Sequence, residues 1–319
     1  MAPRVSVIIP AHNARQTLPE TLDSVIGQTF EDWEAIVADD GSDDGTGELA
    51  SGYHERVQCV RSERKLGIGG ARNLALGRAG GELVALLDAD DVWVPEYLER
   101  QVGRYDAARR AGCEVGIVCC DAYEFGPDGR RAHSYSRRAG WSDPVTLTSL
   151  LRGNTIFVSA MVPRAVLEEL GGFATDCLGT EDYDMWLRIV ESRRAVLAAR
   201  EALVGYRVSD SALSANVAAM ARATQTTYRH ALARGRLDRR QRAIARRQIR
   251  LQALVEAWEE LARARTRTGA MPWAGALRST PLAARVLLER PTRWLHWLRI
   301  GTGILAGAPA AGVDRSRIT

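Results

Sequence analysis

"VSVIIPAHNARQTLPETLDSVIGQTFEDWEAIVADDGSDDGT" spans Val5–Thr46, and its hydrophobic spacing changes twice. Val5–Ile9 is a short, apolar, β-branched run, the pattern of a buried strand, and Pro10 closes it. Leu18, Leu22, Val25 and Ile26 then recur at helical spacing, predicting a helix of about ten residues. Trp33–Ala38 is a second strand-like run. It ends in Asp39 and Asp40, and a Gly/Ser/Asp turn follows.

The alternation continues. "RVQCVRS" reads as a third strand, and "LGIGGARNLALGRA" as a Gly-rich loop opening into a helix. Leu83–Leu87 is a fourth strand, Glu96–Arg110 a helix and Val115–Cys120 a fifth strand. Strands alternating with helices predict an α/β fold, with a mostly parallel central sheet and helices on both faces. Such sheets hold their ligands at the carboxyl ends of the strands. That rule gathers His12, Asp39, Asp40 and Asp88–Asp91 on one edge.

Beyond Asp121 the alternation weakens. "EFGPDGRR" predicts a hairpin turn, Asn154–Pro163 a strand, and Pro163–Leu170 a helix stopped by Gly171–Gly172. "GTEDYDMWLRIVES" is a loop entering a helix with Tyr183, Trp186, Leu187 and Val190 on one face. "AVLAAREALVGYRV" supplies one or two closing strands. From Asn216 the chain is helical in character and rich in Ala and Arg. Met271–Val313 carries Trp273, Trp294 and Trp297 between prolines.

The 319 residues carry a formal charge of only +4, which conceals a step. Residues 216–319 hold 20 Lys/Arg and 6 Asp/Glu, whereas residues 1–215 hold 23 and 33. The sequence thus predicts a folded domain over 1–215 and a basic helical extension over 216–319. The five cysteines have no zinc-type spacing and suit buried free thiols in a reducing cytoplasm. The apolar run at the N-terminus is too short for a signal peptide, and no stretch reaches the roughly 18 apolar residues of a spanning helix.

"ELVALLDADDVWVP" (Glu82–Pro95) poses the chemical question, because a buried strand ends there in three acids out of four residues. Like charges this close repel, and each costs free energy to desolvate. One Asp at such a place is most simply a helix cap. Three point to a divalent cation, Mg²⁺ or Mn²⁺, which prefers carboxylate oxygens and leaves positions open for phosphates. Asp39 and Asp40 suit a turn, or acceptance of hydrogen bonds from a base or a ribose. "PAHNAR" after the first strand argues against a dinucleotide site, and no Walker A loop is present.

Four ordered blocks, "VSVIIPAHNARQTLPETLDSVIGQTFEDWEAIVADDGSDDGT", "LGIGGARNLAL", "GELVALLDADDVWVP" and "GTEDYDMWLR", resemble family 2 glycosyltransferases over roughly residues 3–215. The resemblance implies the GT-A fold and an inverting, metal-dependent transfer from a nucleoside-diphosphate sugar. It implies that Pro10 and His12 border the base, that Asp40 reads it with Asp39 beside it, and that Arg72 and Asn73 approach the nucleotide. Asp88 and Asp90 match the DxD element, Asp90 on the metal and Asp88 on the ribose or the metal. Asp182 matches the catalytic base, with Glu181 adjoining. Relatives often carry His shortly after "YR" in the last strand, where this chain has Ser209, which leaves a third protein ligand for the metal open. Glu181 and Asp182 also suit capping of the helix they open.

Nine arginines against one acid between Arg229 and Arg250 suit a solvated face or contact with anionic lipid headgroups. "RPTRWLHWLRI" supports the lipid reading. No nucleic-acid recognition motif accompanies the charge, so nucleic acid is not expected as a partner. The expected acceptor is a hydroxyl on a glycan or lipid-linked saccharide of the cell surface, met in the cytoplasm or at the inner face of the membrane. The absence of a QxxRW element favours transfer of a single sugar. A nucleotidyltransferase and a non-catalytic sugar-nucleotide or membrane-binding module are the two rivals.

Overall fold

A computed structural model of the chain describes residues 2–126, 129–134, 143–208 and 216–268. The chain forms two compact units, Met1–Ala257 and Trp258–Thr319. All that follows concerns the first.

The N-terminal third is the predicted alternation: β1 (Val5–Ala11), α1 (Leu18–Ile26), β2 (Trp33–Asp39), α2 (Thr46–Ser51), β3 (Val57–Arg61), α3 (Ile68–Leu76) and β4 (Leu83–Leu86). Strands β1 and β2, β1 and β4, and β2 and β3 all pair in parallel. Every residue of β1 is buried, as expected of a strand covered on both faces. Ser6 is tolerated there because its hydroxyl donates to Glu34 (2.7 Å) and accepts from Gly81 N (2.8 Å).

The strand passes through Pro10 instead of stopping at it. Pairing with β4 ends at Ile8, while pairing with β2 runs on to Ala11. Ile8 uses its carbonyl on the β4 side and Ala11 on the β2 side, so Pro10 faces the side where no ladder remains. Its missing N–H costs nothing there.

Next come β5 (Val92–Trp93), α4 (Tyr97–Arg110), β6 (Val115–Gly126) and β7 (Gly129–Ser134), then α5 (Leu147–Leu150), β8 (Met161–Pro163), α6 (Arg164–Glu169), α7 (Glu181–Glu191) and β9 (Ala195–Arg207). The sheet order is β3-β2-β1-β4-β8-β6-β9-β5, with β7 on β6. Four pairings are parallel and four antiparallel, so the sheet is mixed, with its parallel strands concentrated in the first half. The expected hairpin is the β6–β7 connection, closing at Gly126 and Gly129. The strand expected over Asn154–Pro163 shrinks to three residues, and the Asn154 side chain accepts from Ile156 N and turns the chain before it.

Residues alternate between two cores. Val5, Val7 and Ile9 face a cluster with Leu18, Leu22, Leu98 and Val102 of α1 and α4. Ile8, Ile36 and Leu86 face a second, with Ala71, Ala75 and Trp186 of α3 and α7. The second core also takes in Tyr228 and Ala231 of α8 (Val217–Ala233) and Ala245 of α9 (Arg239–Thr268). The basic helices after residue 216 therefore begin inside the first unit. Thr227 meets Thr180 (2.9 Å), and Arg234 clamps Glu191 and Asp184, fastening α8 to α7. His230 completes the brace, with Nε2 3.1 Å from Asp176 and Nδ1 3.5 Å from the sulfur of Cys177. Among the described residues no helix is long and apolar enough to cross a membrane.

Candidate active site

The acids at the end of β4 are wrapped by hydroxyls and guanidiniums. Thr17 donates to Ala89 O (2.9 Å) and Thr21 to Asp91 O (2.8 Å), which fixes the backbone of the acidic loop on α1. Arg207, at the end of β9, donates its Nε to Asp90 O (2.8 Å) and its backbone N–H to Asp91 Oδ1 (2.9 Å). Its guanidinium also reaches Glu20 and lies 4.4 Å from the Phe125 ring centroid. Arg207 escaped the sequence reading. The signal was the "YR" pair of the last strand, but its hydrogen-bond partners lie more than a hundred residues earlier.

Arg72 answers much of the electrostatic question. It is 1% exposed, donates to Asp88 (2.7 Å) and to Glu181, and lies 5.7 Å from the centroid of Phe173. Burial opposes its charge, but Glu181 and Asp88, with Asp182 behind them, more than offset this and hold its pKa above the ordinary guanidinium value. One buried cation thus joins the β4 acids to the start of α7.

The glycines of "GIGG" make that approach possible. A Cβ on Gly69 would collide with the Ala174 carbonyl and stand 3.4 Å from Glu181 Cβ, so only glycine lets α3 come this close to the loop before α7.

Glu181, 2% exposed, spends one carboxylate oxygen on Arg72 and the other on Gly179 N (2.9 Å). Among the described residues Asp182 makes only a local bond, from Tyr183 N (2.6 Å). Burial, then the Glu181 charge, push its pKa from 3.8 to about 7, against the pull of Arg72. Burial, then Asp88, raise Asp90 to about 6. Asp91 is lifted well above the usual carboxylate range by burial and by Asp90 and Asp88. Glu181, Asp182 and Asp184 fill the first turn of α7, where the helix dipole favours anions.

The donor set suits a hard divalent cation. Asp91 Oδ2 is buried with no hydrogen-bond partner among the described residues, and burial and then the Asp88 charge raise the Asp90 pKa by more than Arg207 lowers it. Asp88, 27% exposed and sharing Oδ1 with Arg72, and Asp90 are the residues that would hold such an ion.

The remaining predicted positions divide. His12 is exposed at the end of β1, its Nδ1 2.9 Å from Asp40 O, and Pro10 is buried behind it. Asp40 receives Leu66 N (2.5 Å) and Gly67 N (2.9 Å), so its carboxylate ties down the loop that opens α3. Beside that loop, Arg61, Ser62, Glu63, Arg64, Leu66 and Leu74 line a groove of about 630 Å³. Asp39 is fully buried. It accepts from Ser42 N (2.9 Å), with Arg61 Nε 3.4 Å away. Asn73 faces away from the acids, its amide exchanging both hydrogen bonds with the Phe173 backbone (2.8 and 2.7 Å). Asp88, Asp90, Arg72, Glu181 and Asp182 are thus joined through Arg72 and their shared field, while Asn73 and Asp39 serve the scaffold. Ser209 lies outside the described residues.

A family model described as glycosyl transferase family 2 matches residues 6–171. The chain is 31% identical over 233 residues to a Bacillus subtilis (strain 168) protein named as a teichuronic acid biosynthesis glycosyltransferase, TuaG, covering 71% of this chain and 88% of that one. It is 29% identical over 214 residues to the Escherichia coli UDP-Glc:alpha-D-GlcNAc-diphosphoundecaprenol beta-1,3-glucosyltransferase WfgD, covering 66% and 80%. Among solved structures, the mannosyltransferase PcManGT from Pyrobaculum calidifontis, in complex with GDP-Man and Mn²⁺, superposes with a TM-score of 0.60 at 23% identity over 92% of this chain and 83% of that one. S. aureus TarS 1-349 in complex with UDP-GlcNAc superposes with a TM-score of 0.57 at 21% identity, and the match spans 70% of this chain and 65% of that one. At these identities the structures establish the fold, which is GT-A.

Proposed function

The chain belongs to glycosyl transferase family 2 and is a glycosyltransferase, and on that premise we propose that it moves a single sugar from a nucleoside-diphosphate sugar to a hydroxyl, with inversion at the anomeric carbon. The observation that carries this reading is the division of labour imposed by Arg72. It occupies Glu181 and one oxygen of Asp88, whereas among the described residues no basic side chain binds the carboxylates of Asp182, Asp90 and the buried Asp91.

Asp182 is the base. With a pKa of about 7 it is poised to take a proton near neutral pH. The acceptor hydroxyl gives its proton to this carboxylate as its oxygen bonds to the anomeric carbon. The bond from that carbon to the diphosphate breaks on the opposite face. Asp90 and Asp88 would hold a Mg²⁺ or Mn²⁺ ion, whose charge would offset that of the departing diphosphate. His12 and the groove beside Asp40 bound the space for the base, and Asp40 fixes the loop that forms its wall.

TuaG and WfgD are named for a cell-wall polymer and for transfer to a diphosphoundecaprenol-linked sugar. They support a surface glycan or lipid-linked acceptor, reached from the cytoplasmic side with the enzyme lying against the membrane. The solved neighbours were captured with GDP-Man and Mn²⁺ and with UDP-GlcNAc, which supports a nucleotide-sugar donor and a divalent cation.

A thermal-shift series tests the donor half of this reading. UDP or GDP is expected to raise the unfolding midpoint with Mn²⁺ present and not with EDTA. A ligand at a hundred times its dissociation constant contributes about 2.7 kcal/mol. Asp90→Ala is expected to abolish the metal-dependent shift. A nucleotide shift of equal size in EDTA, or one that survives Asp90→Ala, would overturn the metal assignment. Release of nucleoside diphosphate during turnover, without pyrophosphate, separates sugar transfer from nucleotidyl transfer.

A further inference from the structure

The charge step in the sequence has an address in the fold. Between Arg239 and Val255, helix α9 carries six arginines, Arg239, Arg240, Arg242, Arg246, Arg247 and Arg250, and no Asp or Glu. All six are exposed. Successive helical residues turn by about 100°, which places the six within an arc of about 160°. The rest of the helix is the packed side. Ala245 is buried, Ile244 and Ile249 lean on the second core, and Gln248 donates to Arg152 O (2.7 Å). None of the six forms an ion pair among the described residues, and Arg242 reaches only the Leu237 carbonyl.

This arrangement works against the helix that carries it. Arg242–Arg246 and Arg246–Arg250 are like charges at i,i+4, a spacing that destabilises. Arg239, Arg240 and Arg242 stand in the first turn, where the dipole favours anions, and Asp238, which caps that turn by accepting from Gln241 N (2.8 Å), is one acid against three arginines. A local conflict that one capping acid offsets only in part points to a partner outside the chain.

We propose that this arginine face of α9 docks the protein on an anionic lipid surface. The ridge is convex and one helix wide, so a broad plane of headgroup phosphates can meet all six guanidiniums together. Single-stranded nucleic acid would call for stacking platforms, and Arg239–Val255 contains no aromatic residue. The purpose of such docking, delivery to a membrane-bound acceptor, rests on the function proposed above, whereas the docking itself does not.

The test is co-sedimentation of the full chain with phosphatidylcholine vesicles, with and without phosphatidylglycerol. Binding is expected only to the anionic vesicles and is expected to weaken as salt rises. Each arginine near such a surface contributes about fivefold in partitioning. The triple variant Arg239→Ser, Arg246→Ser, Arg250→Ser is thus expected to bind about a hundredfold more weakly, while the triple lysine variant keeps most of the binding. The serine variant loses no ion pair among the described residues, so its unfolding midpoint should stay level or rise. Transfer to a soluble acceptor should be unchanged in it, which distinguishes failure of docking from failure of the catalytic reading. Equal binding to neutral vesicles, or undiminished binding by the serine variant, would overturn the proposal. So would tighter binding of this face to a nucleic-acid oligomer than to the vesicles.

Discussion

Asp182→Asn is expected to remove sugar transfer while the donor still binds. The substitution keeps the size of the side chain and its acceptor for Tyr183 N, but takes away the proton acceptor. General-base catalysis is worth about 10²–10⁴-fold, and kcat should fall within that range. The dissociation constant of the nucleotide should change little, because the groups proposed to hold the diphosphate sit on the β4 loop. The wild-type rate should carry a matching signature in its pH profile. The base must be ionised, so activity should fall about tenfold per pH unit below a pKa near 7, the value that burial and Glu181 impose. Single-turnover rates across pH, beside donor titrations of the variant, check both statements. A variant that keeps wild-type kcat would remove Asp182 from the mechanism.

Arg72→Met is expected to have the largest effect on stability. The wild-type guanidinium is buried between Glu181 and Asp88. Methionine fills much of its volume and leaves the Glu181 carboxylate buried beside Asp182 without a cation. Removing one partner of a buried pair costs about 3–5 kcal/mol, because the other is stranded. Arg72→Lys should recover part of that loss, since it restores the charge but not the fork that reaches two acids. The deficit should also depend on pH. Burial already raises the Glu181 pKa in the wild type, and losing Arg72 raises it further. A carboxyl group with a raised folded pKa contributes stability at low pH that is lost as pH climbs through that value. The Met variant should accordingly lie nearer the wild type at pH 5 than at pH 8 in urea denaturation. A deficit that is small, or that shrinks as pH rises, would contradict the bridging role.

The half of the fold that repeats one local pattern is the half that could be read from sequence. Each strand from β1 to β4 is a short apolar run followed by a helix or a turn, and parallel pairing follows from the crossovers. From β8 onward, strand direction depends on partners far along the chain. Nothing near Met161–Pro163 announces that this segment runs against both β4 and β6. Pro10 misled for a similar reason, because whether its missing N–H matters depends on where β4 stops.

In the site, residue types were legible and their orientations were not. Arg72 and Asn73 are neighbours in "GGARN", yet side chains one residue apart on a helix point about 100° apart. One meets the acids and the other grips Phe173. Asp40 was recognisable as an acid at a strand end, but its engagement with Leu66 and Gly67 needed the return of a loop 26 residues later.

The four lifted carboxyl groups, Asp90, Asp91, Glu181 and Asp182, make protonation part of the resting site. Near neutral pH the folded chain retains protons that the unfolded chain gives up around pH 4, so these groups stabilise the fold in acid and do so less as pH climbs towards 7. The acidic edge therefore does not stand as a bare array of repelling charges. The cation proposed for Asp90 would compete with a proton for the same oxygens, and its binding would release that proton to solvent. Acidification would then act against the cation without needing a pocket of its own. The coupling would tie uptake of the proposed cation to pH through the burial that raises Asp90 and Asp91.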